Sequence, residues 1–277
     1  MNTIFFELIT CLDHAFIDDL GRIRGGSFMV SVNVSSPTLD PNDSTVVDFS
    51  SGKKLMKAAI DDINFGYDHK IWFIPGFSKG ELSINDDFVS IDTPAVKMIL
   101  PKTALRVFDL AKNYEDINLE LDQFLNNQLP DFQFQTYLTQ EISNPNVSYF
   151  RYAHGLKTST KSIGCQNIAH GHLSWISIPD DPILQEDIAL EMNETYWVWR
   201  ENVIAEDDQY ITLSYTTAAR GYFELTLNKA MMKVQVIETE STIEYISQFV
   251  KNKYLQSQAN TFWISEGLQK GAVVFNN

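Results

Sequence analysis

Cys165-Gln166-Asn167-Ile168-Ala169-His170-Gly171-His172, preceded by Phe150-Arg151-Tyr152-Ala153-His154, is the stretch on which the reading of this chain turns. Alternate side chains of a strand share a face, so His170 and His172 are expected to point the same way. If residues 150–154 form the adjoining strand, His154 joins them and three neutral imidazoles converge. Three imidazoles with an open fourth position is the arrangement of a catalytic zinc rather than a structural one. Cys165, a few residues upstream, is a candidate base or nucleophile, because a nearby cation favours the thiolate. The bland alternative is three strand histidines bonded within a core and a small buried thiol. Three of the five histidines fall in this cluster.

Composition narrows the remaining classes. The chain has 277 residues, 44% of them hydrophobic, enough for one large core or two modest ones. It carries 21 Lys+Arg against 36 Asp+Glu, a net charge of −15. Such a surface repels phosphate backbones and argues against nucleic-acid binding. Two cysteines, Cys11 and Cys165, are too few for a disulfide framework and fit a reducing compartment. Residues 1–14 lack the basic start of a signal peptide, and no apolar run approaches the roughly 20 residues of a membrane span. A cytoplasmic enzyme is the expectation.

Along the chain, Ile4 to Ile17 and Ser27 to Ser35 read as strands, the second with Phe28, Val30, Val32 and Val34 on one face. A helix is expected from Ser50 to Ile63, with Asp48 or Ser50 as N-cap. Short strands follow between Ile71 and Ile91, then helical character in two pieces between Ala104 and Leu129. Phe132 to Ile142 alternates again, and Asn144-Pro145-Asn146 marks a boundary. The second half repeats this order. Strands are expected over 147–156 and 172–178, a helix over 187–200, and strands over 210–215 and 232–237. A last helix is expected over 242–258, and 218–228 fits helix or strand. This is a duplication with domains 1–145 and 146–277.

Phe150-x-x-x-His154, Cys165, His170-Gly-His172 and Val234-x-Val236-x-Glu238-Thr239 together resemble the 6-pyruvoyl-tetrahydropterin synthase family, which includes the 6-carboxytetrahydropterin synthases of queuosine biosynthesis. Val46-Val-Asp48-Phe49 followed by Asp68-His69 resembles the middle of the same pattern. The resemblance implies an α+β tunnelling fold in tandem: two antiparallel four-stranded sheets, each with helices on one face, in a homo-oligomer. The first copy reads Arg24-Gly-Gly-Ser27 where His-Gly-His belongs, and the second reads Trp199-Arg-Glu-Asn202 where Asp-His belongs. Each copy would therefore complete the other.

The resemblance also implies roles. His154, His170 and His172 would hold zinc, which polarises the hydroxyls of a pterin side chain. Cys165 would remove a side-chain proton, and an Asp68-oriented His69 would shuttle one. Glu238 would anchor the pterin, whose amidine-like edge pairs with a carboxylate. Neighbours in a strand face opposite ways, so Asp68 and His69 need a turn between them to cooperate. Glu141, in the corresponding place of the first copy, reads as structural, and so does His14, placed where the first metal histidine would fall. The implied activity is a zinc-dependent lyase that takes the small molecule 7,8-dihydroneopterin triphosphate to 6-carboxytetrahydropterin. A pyruvoyl product and a non-catalytic pterin- or purine-binding protein are the alternatives.

Overall fold

The computed structural model describes residues 1–140, 144–158, 163–255 and 261–275; Glu141 lies outside them. The first half runs β1 (Asn2–Ile17), β2 (Ile23–Ser36), α1 (Phe49–Ile60), β3 (Lys70–Phe73), β4 (Glu81–Ile84), β5 (Phe88–Asp92), β6 (Val96–Pro101), β7 (Leu105–Val107), α2 (Ile117–Gln128) and β8 (Gln133–Thr139). The second runs β9 (Ser148–His154), β10 (His170–Ser177), α3 (Pro182–Met192), β11 (Thr195–Trp199), β12 (Val203–Glu206), β13 (Tyr210–Thr217), β14 (Gly221–Asn228), β15 (Lys233–Ile237), α4 (Ile243–Val250), β16 (Phe262–Glu266) and β17 (Lys270–Val274). Among the described residues no helix is long and apolar enough to cross a membrane.

The strands form three sheets, in the orders β7-β3-β1-β2-β8, β15-β11-β9-β10-β16-β17 and β12-β13-β14-β6-β5-β4. The fold is α+β, but the expected pair of four-stranded antiparallel sheets is not what forms. In each half the hairpin is antiparallel, yet the strand after the first helix pairs parallel with the first strand: β3 with β1, and β11 with β9. The helix carries the chain from the second hairpin strand across to the far side of the first, where the next strand runs opposite to the second and so parallel to the first. The meanders β4-β5-β6 and β12-β13-β14 leave their own halves and join through β6 and β14 into the third sheet.

Local chemistry explains the element ends. Asp48 caps α1 by accepting from Ser51 N at 2.9 Å, and Met56 and Ile60 face inward. Asp181 caps α3 by accepting from Leu184 N, with Pro182 in the first turn, where its missing N–H is harmless. This helix stops at Met192, short of the expected Arg200. Thr195-Tyr-Trp-Val-Trp199 is instead a buried strand, as its aromatic and β-branched content favours. Within 218–228, residues 221–228 form the strand β14 after a turn, and 251–255 continue α4 as one π-helical turn.

One apolar cluster packs α1 and α2 on the first sheet through Leu12, Val32, Trp72, Met56 and Leu121. A second packs Phe150, Trp197, Ile188 and Ile246 in the other half. A third belongs to both halves, joining Ile71 and Leu100 to Tyr196, Leu213 and Leu225 beneath the shared sheet. The hairpins also meet directly. A Cβ on Gly171 would run into Gly25 Cα, and one on Gly25 would collide with Tyr152 O and lie 2.7 Å from His172 N. Obstacles made of backbone cannot rotate away. Gly171→Ala is therefore expected to destabilise the fold by about 3 kcal/mol or more, as overpacking does at its upper end. Urea unfolding checks this; a loss within about 0.5 kcal/mol, the range of an ordinary surface change, would refute the tight crossing.

Candidate active site and metal centre

The register of β9 and β10 places His154 opposite His170, and His172 opposite Tyr152. All three imidazoles are at most 1% exposed, and one ligand atom from each lies within 4.8 Å of the others. His154 Nδ1 donates to Ser241 O at 2.6 Å, so its proton sits on Nδ1. Its Nε2 lone pair then faces His172 Nε2 at 3.2 Å. His172 Nδ1 stands 3.2 Å from Asp13 Oδ1, an ion-pair distance with an off-line angle. That carboxylate favours the same tautomer, with the second lone pair turned toward the first. Burial, and then the neighbouring histidines, lower the pKa of both His154 and His170. Neutral imidazoles with lone pairs converging in a dry pocket suit a divalent transition ion.

Beside this cluster, Cys165, His69 and His170 offer ligand atoms within the same 4.8 Å limit. Cys165 closes a short 3-10 turn, Ile163–Cys165, and is partly exposed. His69 comes from the other half, just ahead of β3, where a backbone φ of +53° provides the turn that adjacent residues require. Its Nδ1 meets Asp68 Oδ2 at 2.5 Å, and its backbone N–H donates to Asp13 O at 2.7 Å. Asp68 Oδ1 accepts from Asp13 N at 2.9 Å. Asn167 Nδ2 donates to His69 O at 3.0 Å, tying the cysteine loop to the first half. Burial opposes charge on His69, but the Asp68 carboxylate and the Cys165 sulfur raise its pKa well above the usual value. The arrangement is a sulfur, an imidazole and a carboxylate in sequence, able to take up and return a proton.

Glu238 is exposed on the bend directly after β15, three residues before Ser241. His14 is a core residue, fully buried and stacked on Trp72 at 3.5 Å between centroids, with Tyr114 Oη 2.7 Å from its Nε2. The register corrects its expected place. Ala15 pairs with Gly25 as Ala153 pairs with Gly171, so Phe16, not His14, corresponds to His154. By the same register Arg24 and Gly26 stand for His170 and His172. The counterpart of Asp68-His69 is Asn193-Glu194 rather than residues 199–202. Glu194 has the same left-handed backbone (φ +62°), its N–H donates to Arg151 O at 2.7 Å, and Asn193 Oδ1 accepts from Arg151 N at 2.8 Å. The helix ended earlier than expected, and the motif position moved with it.

Asp13, Ser241, Asn167 and Arg220 escaped the sequence reading. Only Asn167 carried a local signal, lying within the quoted stretch itself. Arg220, buried at the β13–β14 turn, donates to Gly164 O at 2.9 Å and so braces the cysteine turn from behind.

No family model matches the sequence, and no curated protein matches it. Among solved structures, the chain is similar to a catalytic-residue mutant of Plasmodium vivax 6-pyruvoyltetrahydropterin synthase, with 15% identity over 52% of this chain and 93% of that one, at a TM-score of 0.40. Plasmodium falciparum 6-pyruvoyl tetrahydropterin synthase is similar at 13% identity, over 51% of this chain and 98% of that one, at a TM-score of 0.36. A likeness of this extent leaves the function to be read from the side chains.

Two outcomes follow from this geometry. Cobalt(II), added as a spectroscopic probe, is expected to bind at one equivalent per chain; His154→Ala or His172→Ala abolishes binding and Cys165→Ser does not. If Cys165→Ser abolished it instead, the ion would belong to the sulfur-containing trio. His14 has its pKa lowered to about 3, chiefly by burial. The folded chain therefore refuses a proton that the unfolded chain accepts below about pH 6.5. Stability falls as pH drops through that window, by up to about 1.4 kcal/mol per pH unit for this group. His14→Phe is expected to gain on the parent steadily between about pH 6.5 and about pH 4 in urea titrations.

Proposed function

We propose that this chain is a zinc-dependent lyase of the pterin-synthase type, acting on 7,8-dihydroneopterin triphosphate and releasing 6-carboxytetrahydropterin. The observation that carries this reading is the meeting of Cys165 and His69, from opposite halves, beside the three buried imidazoles. His154, His170 and His172 would hold the ion. When bound there, zinc supplies Lewis acidity to side-chain hydroxyls.

The protein's own groups then divide the proton work. Cys165 sulfur accepts a proton from the substrate side-chain carbon. His69, kept charged beside Asp68, faces the Cys165 sulfur and returns a proton to the neighbouring carbon as triphosphate departs. Glu238 is free in solvent to pair with the 2-amino and ring N–H edge of a pterin. Burial of the imidazoles leaves Cys165 and His69 as the open side of the site, so substrate enters over the sulfur.

The wider reading is a cytoplasmic homo-oligomer built from two copies, 1–145 and 146–277. The edge strands β7, β8, β15 and β17 end their sheets with unpaired backbone groups that a neighbouring chain can cover.

The test is incubation of zinc-loaded protein with 7,8-dihydroneopterin triphosphate and identification of products by mass. Release of triphosphate is expected, together with acetaldehyde as the two carbons cleaved from the side chain with uptake of one water, leaving a carboxyl on the pterin; a pyruvoyl side chain with all three carbons retained would reassign the product. Cys165→Ala and His69→Ala should each lower kcat by about 10²-fold or more, within the span of general acid–base catalysis. Substrate that binds but returns unchanged would defeat the enzyme reading in favour of a binding protein.

A further inference from the structure

Asp13 is 1% exposed and sits at the junction of the two halves. Its carboxylate receives Ser27 Oγ–H at 2.5 Å, faces His172 Nδ1 at 3.2 Å, and lies 3.3 Å from Lys270 Nζ. Its backbone N–H and C=O hold Asp68 and His69, so one residue touches both the imidazole cluster and the proton-handling group. Gly267, at φ +68°, closes over it: a Cβ there would lie 2.6 Å from Asp13 Oδ1. A buried carboxylate is expensive unless it is paired, and here every neighbour is a donor or a cation.

The chain contains its own control. Arg151 occupies the equivalent place in the second half, opposite Asn193-Glu194, and makes the same two backbone contacts. What faces it across the crossing is the first hairpin, and Arg151 donates to Gly25 O at 3.1 Å. No imidazole pair lies there, because Gly26 stands where His172 does. The backbone role is thus common to both halves. The carboxylate occurs on the side that has an imidazole to hold.

We propose that Asp13 is the positioning residue of the metal centre, supplied across the crossing by the half without the metal histidines, and that it fixes His172 with Nδ1 protonated and Nε2 turned to the ion. Carboxylates in this relation to a ligating imidazole fix its ring and raise its basicity, and their loss typically weakens metal binding by about 10- to 100-fold. The inference rests on the metal reading of His154, His170 and His172. It adds that the first half contributes to metal affinity as well as to proton transfer.

The test uses Asp13→Asn, which keeps the side-chain shape and both backbone contacts but removes the charge. Zinc affinity is read by competition with a chromophoric chelator, and the iodoacetamide reactivity of Cys165 is read on metal-free protein. A zinc Kd raised by about 10- to 100-fold, with Cys165 reactivity within about twofold of the parent, is expected. The unmutated chain provides a second readout that needs no folded variant: nitrogen-15 spectra of its histidines, zinc-loaded, should show His172 protonated at Nδ1. A zinc affinity unchanged by Asp13→Asn, or an Nε2-protonated His172, overturns the role of Asp13 while leaving the metal centre intact. A parent chain that binds no zinc overturns both.

Discussion

Everything at the site depends on two backbones approaching without side chains between them. Gly25 and Gly171 occupy corresponding register positions in their hairpins; Gly25 fills the space a Cβ on Gly171 would need, and the backbone of Tyr152 and His172 fills the space a Cβ on Gly25 would need. That contact places Asp13 against His172, and through Asp13 it sets the turn carrying Asp68 and His69. Separating the hairpins by one methyl would move the imidazole cluster relative to the groups meant to act with it. Proton transfer requires contacts of about 3 Å, so a displacement of 1 Å is functionally large. The shared core beneath the third sheet resists that separation, because Ile71 and Tyr196 are packed into one apolar cluster from opposite halves.

The same strand plan carries opposite chemistry at its two equivalent places. Where the second hairpin presents His170 toward His69, the first presents Arg24 toward Glu194, and these two form an ion pair. Phe16 and Gly26 stand in for the other two imidazoles, leaving no nitrogen donors there. One place can hold a cation and move a proton; the other is closed by fixed charges of opposite sign. The salt bridge also clamps the halves together, with Arg24 further held by Asp18 at 3.4 Å. Of these two equivalent places among the described residues, one gathers ligand atoms and the other serves cohesion.

How much of this was legible depended on whether a residue's neighbours were local. The alternation His170-Gly-His172, the Asp48 cap and the strands β1 and β2 all express periods or contacts within a few residues, and each formed about where expected. The parallel strands β3 and β11 have no alternating pattern, because both of their faces are covered. Of the meanders, β4, β5 and β13 lie in stretches that read mostly as strands, 218–228 fits helix or strand, and β6 and β12 lie outside every expected strand; the pairing through β6 and β14 spans more than a hundred residues. Asp13 escaped for the same reason: its meaning lies in His172, far along the chain. Asp68-His69 is legible in the sequence as a pair, but the positive φ of His69 that lets the adjacent side chains cooperate is not.

Charge near the sulfur runs against the acidity of the whole molecule. Lys70, almost fully buried, spends its ammonium on the carbonyls of Ile63, Asn64 and Thr103, and Arg220 shares two of these while holding Gly164. Burial, and then the Arg220 guanidinium, lower the Lys70 pKa to about 7, so carbonyl dipoles rather than carboxylates steady this pair. Lys270 is different: its side chain is half exposed, and the pull of Asp13 and Glu266 outweighs burial and keeps it charged. Arg220 braces the cysteine turn from the protein side, while Lys270 stands half exposed against Asp13 and Glu266. A chain of net charge −15 thus sets a buried guanidinium against the turn that carries Cys165.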